Sequence, residues 1–316
     1  MSITLTAAGD DDGRRLDRIL RKALRDLPLS AIHRLLRKGT VLVDGKTASA
    51  DTRIGTGQII TIPEYNHGVT RRKEEKSNQN SVKLRGEKFE LPEILYEGEG
   101  LLILNKPAGL AVHGRGSLED MVLDYLKPKL PPSLSFRPGP LHRLDKPSSG
   151  AIVFSTNLRG ARFFSALMRQ RKIKKSYLAL VEGVIKKDEV WQDELARDQD
   201  LKKTFTNDSK GRLREGETKT ALTRVSPLAG NSACLQAGST LILAEIETGR
   251  THQIRAQAAA RGHPLLGDKK YGGKPFPGGG GFLLHAWRME CNYWAPVPCL
   301  IEAPLPDDFR RLTLMT

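Results

Sequence analysis

A chain of 316 residues with 39% hydrophobic and 28% charged side chains exceeds the usual single-domain size, and its length points to about two domains, each able to bury a core. Lys and Arg number 51 against 36 Asp and Glu, a formal net charge of +15, which favours a polyanionic partner because cations that neutralise phosphates release counterions. No run approaches the ~20 apolar residues of a membrane span, so nucleic acid met in solution is the leading partner class and a membrane is not expected.

The N-terminal stretch carries Asp10-Asp11-Asp12 where a signal peptide needs an apolar run, so a cytoplasmic protein is expected. From Leu16, apolar residues recur at Ile19, Leu20, Ala23, Leu24 and Leu27 among Arg14, Arg15, Arg18, Arg21, Lys22 and Arg25, the spacing of a basic amphipathic helix. Ser30 is placed to cap a second helix that buries Ile32, Leu35 and Leu36, exposes His33, Arg34, Arg37 and Lys38, and stops at Gly39. Val41-Leu42-Val43, an Asp44-Gly45-Lys46 turn and a strand from Ile59 to Ile62, closed by Pro63, complete a small sheet.

Three parts of this unit, Arg15-Leu16-Asp17, Leu35 to Gly39 and Val41 to Lys46, resemble the small RNA-binding domain first described in a ribosomal protein of the small subunit. The charge pattern alone fits a solvated basic face equally well. The resemblance implies RNA binding, with Arg15, Arg34, Arg37 and Lys38 as the contacts, and a domain spanning 1–63. Residues 64–90 then change character, with Arg71-Arg72-Lys73-Glu74-Glu75-Lys76 and Ser77-Asn78-Gln79-Asn80. So few apolar residues cannot offset chain entropy, and a charged flexible linker is expected.

The remaining span, 91–316, mixes elements. Leu101 to Leu104, Ile152 to Ser155, Tyr177 to Val181 and Leu241 to Ile246 predict strands, and Leu158 to Gln170 and Thr251 to Arg261 predict helices. They do not alternate as βαβ units do, so the expected fold class is α+β: a small N-terminal α/β domain, then a mixed, mainly antiparallel sheet flanked by helices and loops. Gly278 to Gly281 marks an exposed loop. Cys234, Cys291 and Cys299 have no C-x-x-C spacing, so neither a disulfide framework nor a zinc site is expected. His252, His263 and His285 match no metal-ligand spacing either, and packing or hydrogen bonding is their expected use.

One run stands apart. In His142-Arg143-Leu144-Asp145-Lys146-Pro147-Ser148-Ser149-Gly150 a single carboxylate sits among three basic side chains before a turn, on a loop expected at the edge of the sheet. Nearby positive charge favours the ionised form, and a fixed carboxylate is able to act as nucleophile or base. Alone, an aspartate before Ser and Gly more often caps a turn.

Four further stretches change the balance: Asn105-Lys106-Pro107-Ala108-Gly109 with Val112-His113-Gly114, Lys174 to Gly183, Thr248 to Arg255, and His263 to Asp268. Together with 142–150 they make the chain resemble the RluA family of pseudouridine synthases over nearly all of Leu91 to Pro304. Leu35 to Lys46 and Asn105 to Gly116 look nearest to the RluC-type branch, whose members modify large-subunit ribosomal RNA. Threonine is common in the family where Ser148 stands, and serine keeps the hydroxyl.

The resemblance implies isomerisation of uridine to pseudouridine in RNA, with no metal and no organic cofactor. Asp145 is implied as the essential catalytic aspartate, attacking the sugar anomeric carbon or the uracil ring, or promoting glycal formation. Arg255 is implied to pair with it, Ile254 to floor the base, and Tyr177 to stack on the uracil, although a strand tyrosine is by itself usually core. Arg143 is implied to fill the gap left by the flipped uridine, where a phosphate clamp is its plainer use. Lys172, Lys174 and Lys175 read as an RNA-backbone patch or a solvated face. The remaining alternatives are a tRNA-directed synthase, a non-catalytic ribosome-associated RNA binder, and a metal-dependent nuclease using Asp145 and Asp268, for which no acidic cluster is present. A monomer is the expected state.

Overall fold

The computed structural model describes residues 2–24, 26–64, 90–130, 133–206, 218–228, 238–275 and 281–313. The proposed linker, apart from its two end residues, lies outside them, as do Arg25, Cys234 and most of the glycine run at 278–281. Contacts divide the chain into two compact units. One is Met1–Glu90 with Asp124–Pro138 and Asn157–Arg159, and the other is Leu91–Leu123, Gly139–Thr156 and Gly160–Thr316.

In the first unit, β1 (Ser2–Thr6), β2 (Arg14–Arg15), α1 (Leu16–Ala23), α2 (Leu29–Arg37), β3 (Leu42–Val43), β4 (Lys46–Thr47), β5 (Arg53–Ile54) and β6 (Ile59–Pro63) follow in order. The sheet order is β1-β6-β3-β4, with β2 and β5 paired separately. Leu16, Ile19, Leu20, Ile32, Leu35 and Leu36 pack in one core with Val41, Val43, Ile60 and Ile62, the faces that helical spacing and strand alternation predict. The helix ends differ from the prediction. The helix α1 stops at Ala23 with Leu24 as its C-cap; Leu27 lies outside it, where proline disfavours helical conformation in the residue before it, and Pro28 is the N-cap of α2 in place of Ser30. Arg14 and Arg15 belong to β2 rather than to the helix.

Asp11, from the acidic cluster, is fully buried. It accepts from Ala8 N at 2.9 Å, Leu134 N at 3.1 Å, Ser133 Oγ at 3.3 Å and Ser135 Oγ. A buried carboxylate needs such donors, and they tie residues 133–135 into this unit.

The second unit is built on β7 (Ile94–Gly98), β8 (Leu101–Lys106), β9 (Gly139–Pro140), β10 (Ser149–Ser155), β11 (Lys174–Glu182), β12 (Glu189–Asp198), β13 (Lys203–Thr206), β14 (Lys219–Pro227), β15 (Ser239–Ile246), β16 (Leu284–Glu290) and β17 (Leu300–Glu302). The chain also forms α3 (Leu118–Leu126), α4 (Leu158–Arg169), α5 (Gln253–Ala260) and α6 (Asp307–Thr313). The strands form one 11-stranded sheet in the order β13-β12-β14-β15-β11-β16-β10-β8-β7, with β17 added at β16 and β9 at β10. Its pairings are antiparallel except β10 with β16, so the fold is mixed α+β with a mainly antiparallel sheet. Every residue of β10 is buried, as expected where helices and loops cover both faces of a central strand. On one side Ile103, Val153, Phe164, Leu167 and Trp294 form a core, and on the other Leu178, Leu180, Leu241, Leu266 and Phe309 do.

Gly150 marks the close approach of β10 to β16. Its φ is +108°, and a Cβ there would lie 2.3 Å from the Ala286 carbonyl oxygen, so neither the backbone angle nor the space admits a side chain. Gly150→Ala is expected to destabilise the protein by roughly 3 kcal/mol or more, summing backbone strain and overpacking. A shift of the urea midpoint measures it, and an unchanged midpoint would show that the two strands part without cost.

Candidate active site

The loop 141–148 leads into β10, which lies between β8 and β16. Asp145 therefore sits beyond the end of an interior strand and not at the sheet edge that the sequence predicts. Ser148 N donates to Asp145 O at 3.1 Å and closes the turn. Beneath it Lys106, fully buried at the end of β8, donates through Nζ to the carbonyls of Pro107 at 2.9 Å, Leu110 at 2.8 Å and Lys146 at 3.2 Å. Gly109 N also donates to Lys146 O at 2.9 Å. Burial lowers the Lys106 ammonium to about 8, with Asp145 opposing the shift. This lysine stitches the Asn105 to Gly109 turn to the aspartate loop, a use that its position in a strand-ending turn does not disclose.

The partner of Asp145 comes from α5. Arg255 Nη1 donates to Asp145 Oδ2 at 2.7 Å, and its Nε and Nη2 donate to Asp268 Oδ2 at 2.7 Å and Oδ1 at 2.9 Å. Side-chain exposures are 7% for Arg255, 15% for Asp145 and 1% for Asp268. The guanidinium also lies 4.9 Å from the Tyr271 ring centroid and 4.2 Å from that of Phe282, inside cation–π range. Burial pulls the Arg255 pKa down, yet the two carboxylates outweigh it and the net shift is upward. Asp268 and the two aromatic rings are the part of the site that sequence reasoning missed as a support for Arg255.

The helix is itself aimed by the preceding loop. His252 adopts a left-handed conformation at the N-cap, so α5 starts two residues later than the spacing predicts. Gln253 Oε1 accepts from Thr248 Oγ1 at 2.7 Å and Arg250 N at 3.0 Å, while its Nε2 donates to Leu222 O at 3.0 Å and Thr223 Oγ1 at 2.9 Å. His252 Nε2 stands 3.7 Å from Asp145 Oδ1 and its Nδ1 3.0 Å from the Tyr271 hydroxyl. Burial lowers its pKa more than Asp145 raises it, so near neutral pH this contact is dipolar rather than an ion pair. Among the described residues Oδ1 of Asp145 accepts no hydrogen bond, and Asp145 lines a cavity of about 310 Å³, enough for a nucleobase-sized ligand.

Tyr177 on β11 and Ile254 on α5 line that cavity and are both buried. Burial first, and Asp145 second, raise the Tyr177 phenol pKa, so it keeps its proton and presents a neutral ring. Arg143 is exposed at the rim. Its neighbours in sequence do not surround Asp145 as their order suggests. Lys146 is exposed, and His142 turns inward, where Nε2 accepts from Val153 N at 3.1 Å and the ring stacks on Phe164 at 6.1 Å. Burial, with Lys175 adding to it, lowers the His142 imidazole to about 3. The electrostatic partner of Asp145 is distant in sequence, because side chains adjacent along a loop diverge.

The three lysines before Tyr177 also separate. Lys174 pairs with Glu245 at 2.6 Å, Lys172 lies 4.4 Å from the Tyr293 ring centroid, and Lys175 is buried and lines the cavity. Strand alternation puts Lys175 on the Tyr177 face, and burial lowers it to about 8. His263 Nδ1 lies 2.7 Å from Glu182 O, and His285 bridges Ser149 Oγ at 2.9 Å and Ala303 O at 3.1 Å. In the first unit Arg15 pairs with Asp17 at 3.0 Å, while Arg34, Arg37 and Lys38 are exposed toward the end of α2.

The described helices include none long and apolar enough to cross a membrane. Residues 100–260 match the family described as RNA pseudouridylate synthase, a span that holds Asp145, Tyr177 and Arg255. The chain is 32% identical over 314 residues to the ribosomal large subunit pseudouridine synthase C of Vibrio vulnificus (strain CMCP6), covering 96% of this chain and 93% of the relative. It is 31% identical to that of Escherichia coli (strain K12), covering 98% and 94%. Among solved structures, human RNA pseudouridylate synthase domain containing 1 superposes with a TM-score of 0.54 at 26% identity, covering 69% of this chain and 84% of that one.

Two stability effects follow. Below pH 6.5 an unfolded histidine takes up a proton that folded His142 refuses until about pH 3, so the unfolded chain binds more protons and stability falls as pH falls, by up to about 1.4 kcal/mol per pH unit. Urea titrations between pH 7 and 5 are expected to show a shallower dependence in His142→Gln than in the parent; equal slopes would mean that His142 is protonated in the fold. Asp268→Asn leaves Arg255 buried with its main counter-charge gone and is expected to cost about 3 kcal/mol, read as a lowered thermal midpoint.

Proposed function

The chain belongs to the RNA pseudouridylate synthase family and is an isomerase acting on RNA, and from that premise we propose that it converts uridine to pseudouridine in large-subunit ribosomal RNA in the cytoplasm, with Asp145 as its catalytic group. The observation that carries the residue assignment is the asymmetry of the Asp145 carboxylate. One oxygen is held by Arg255, the other accepts no hydrogen bond among the described residues, and Asp145 lines the cavity. A carboxylate fixed through one oxygen and available through the other is suited to covalent or proton-transfer work. The relatives that match along almost the full length are named for the ribosomal large subunit, which supports that RNA over tRNA.

The reaction balances without an outside reagent. The bond between uracil N1 and ribose C1′ breaks, a bond from C5 to C1′ forms, C5 loses a proton, and N1 takes one up. Asp145 Oδ1 takes part by attacking C1′ or the uracil ring, or by promoting the glycal. Tyr177 and Ile254 both line the cavity and offer apolar surface for a flat base to pack on, with the phenol kept neutral. Arg255 holds the carboxylate in place and supplies the counter-charge, a role that Asp268 and the flanking rings support by fixing the guanidinium.

A uridine within folded RNA leaves its stack at a cost of a few kcal/mol. Arg143, on the rim and two residues before Asp145, is suited to occupy the gap. Residues 1–63 act as an RNA-binding domain through Arg15, Arg34, Arg37 and Lys38, joined through the 64–90 segment to a catalytic domain over 91–316. The ion pair of Arg15 with Asp17 leaves exposed Arg37 and Lys38 as the stronger phosphate contacts of that set.

Asp145→Asn is expected to lower tritium release from ribosomal RNA labelled at uracil carbon five by roughly a thousandfold or more. RNA affinity should change by less than about threefold, because neutral Asn keeps the shape of the side chain. Near-normal release would remove Asp145 from the chemistry.

A further inference from the structure

A second cavity, of about 500 Å³, opens on the other side of the loop that precedes α5. It shares Gly249, Arg250 and Thr251 with the cavity at Asp145, so three consecutive residues form a common wall. Its lining includes three cations, Arg197 from β12, Lys219 from β14 and Arg250, and no carboxylate. All three are exposed. Among the described residues the Arg250 side chain donates only through Nε, to Thr220 O at 3.1 Å, and Arg197 and Lys219 form no ion pair.

The acids on the neighbouring strands are engaged elsewhere. Glu194 accepts from Thr220 Oγ1 at 2.6 Å, Asp193 pairs with Arg261 at 3.0 Å, Asp198 accepts from Leu201 N at 2.9 Å, and Glu247 pairs with Arg224 at 3.0 Å. Three cations with no counter-ion among the described residues, set along one concave wall, repel one another, and a polyanion relieves that repulsion. Leu195 and Ala196 back the same cavity, giving it an apolar wall beside the charged one.

We infer that this second cavity receives the phosphate and ribose of the nucleotide next to the target in the same RNA strand, with Arg197, Lys219 and Arg250 as its phosphate contacts. The inference rests on the RNA substrate proposed above. Adjacent nucleotides are joined covalently, so a strand that lowers one base toward Asp145 must lay its next phosphate within a nucleotide's length of the shared wall. The volume falls in the range of small-ligand sites. Contacts of this kind set register and orientation and leave the chemistry to the first cavity.

The test uses the full chain and a transcript of large-subunit ribosomal RNA, with binding and tritium release measured separately. Arg197→Gln with Lys219→Gln removes two charges from exposed positions, clear of the Asp145 cavity. The double variant is expected to bind about tenfold or more weakly near ~0.1 M salt and to flatten the dependence of log K on log salt by about 1.4, at ~0.7 per phosphate contact on a single strand. KM should rise by a similar factor with kcat preserved at saturating RNA, and the charge-keeping variant Arg197→Lys with Lys219→Arg should restore binding. An unchanged affinity and salt slope overturns the inference, and so does a loss that the charge-keeping pair shares. If the parent releases no tritium while the salt slope still drops in the double variant, uridine isomerisation falls and the strand site stands. The single variant Lys219→Gln, expected to lose half the slope change, covers the case in which the pair folds poorly.

Discussion

A guanidinium withdrawn from water has to keep its charge and its five donors satisfied, and the architecture around Arg255 is organised by that demand. Two carboxylates meet it from opposite directions, Asp145 from the loop before β10 and Asp268 from the segment after α5. They are not equivalent. Asp268 takes a bidentate pair and is almost completely enclosed, while Asp145 takes one hydrogen bond through Oδ2 and lines the cavity. Arg255 is thus saturated on one side, which leaves Asp145 positioned without being consumed by the interaction that holds it.

The scaffold distributes the cost of that arrangement. Lys106 is buried, among the described residues without a carboxylate contact, and is held by three carbonyls, a burial that is tolerable only because each donor finds an acceptor. Its bond to Lys146 O fixes the loop one residue after Asp145. Gln253 does similar work at the other end, binding both the loop before α5 and the β14 backbone. Between them these two residues hold the loop that carries Asp145 and the start of the helix that carries Arg255.

Legibility in the sequence followed the range of the interaction. The helices at Leu16 and Leu29 and the strands at Leu101, Ile152, Tyr177 and Leu241 were readable because their apolar periodicity is local. The strand β1 was not, because most of its five residues are exposed and the alternation that marks a half-buried strand is weak there. Helix ends slipped where one residue overrode the pattern, as Pro28 did. At the site, the run of basic residues around Asp145 suggested neighbours that would share its environment, but His142 is turned into the core and kept neutral while Arg143 and Lys146 face outward. Similarly Lys174 and Lys175 look equivalent on paper, and strand alternation sends one to Glu245 and the other to the cavity.

By itself the sequence determined the basic balance, the α+β class, and the motifs that resemble one enzyme family, all of them properties of composition or of short windows. Tertiary structure alone decided that Asp268 neutralises Arg255, that Lys106 braces the aspartate loop, and that a second cation-lined cavity lies against the first. The reason is physical: periodicity and turn chemistry act between residues a few positions apart, whereas the pairing of a buried charge depends on which distant segments the folded sheet brings within about 3 Å, the length of a hydrogen bond.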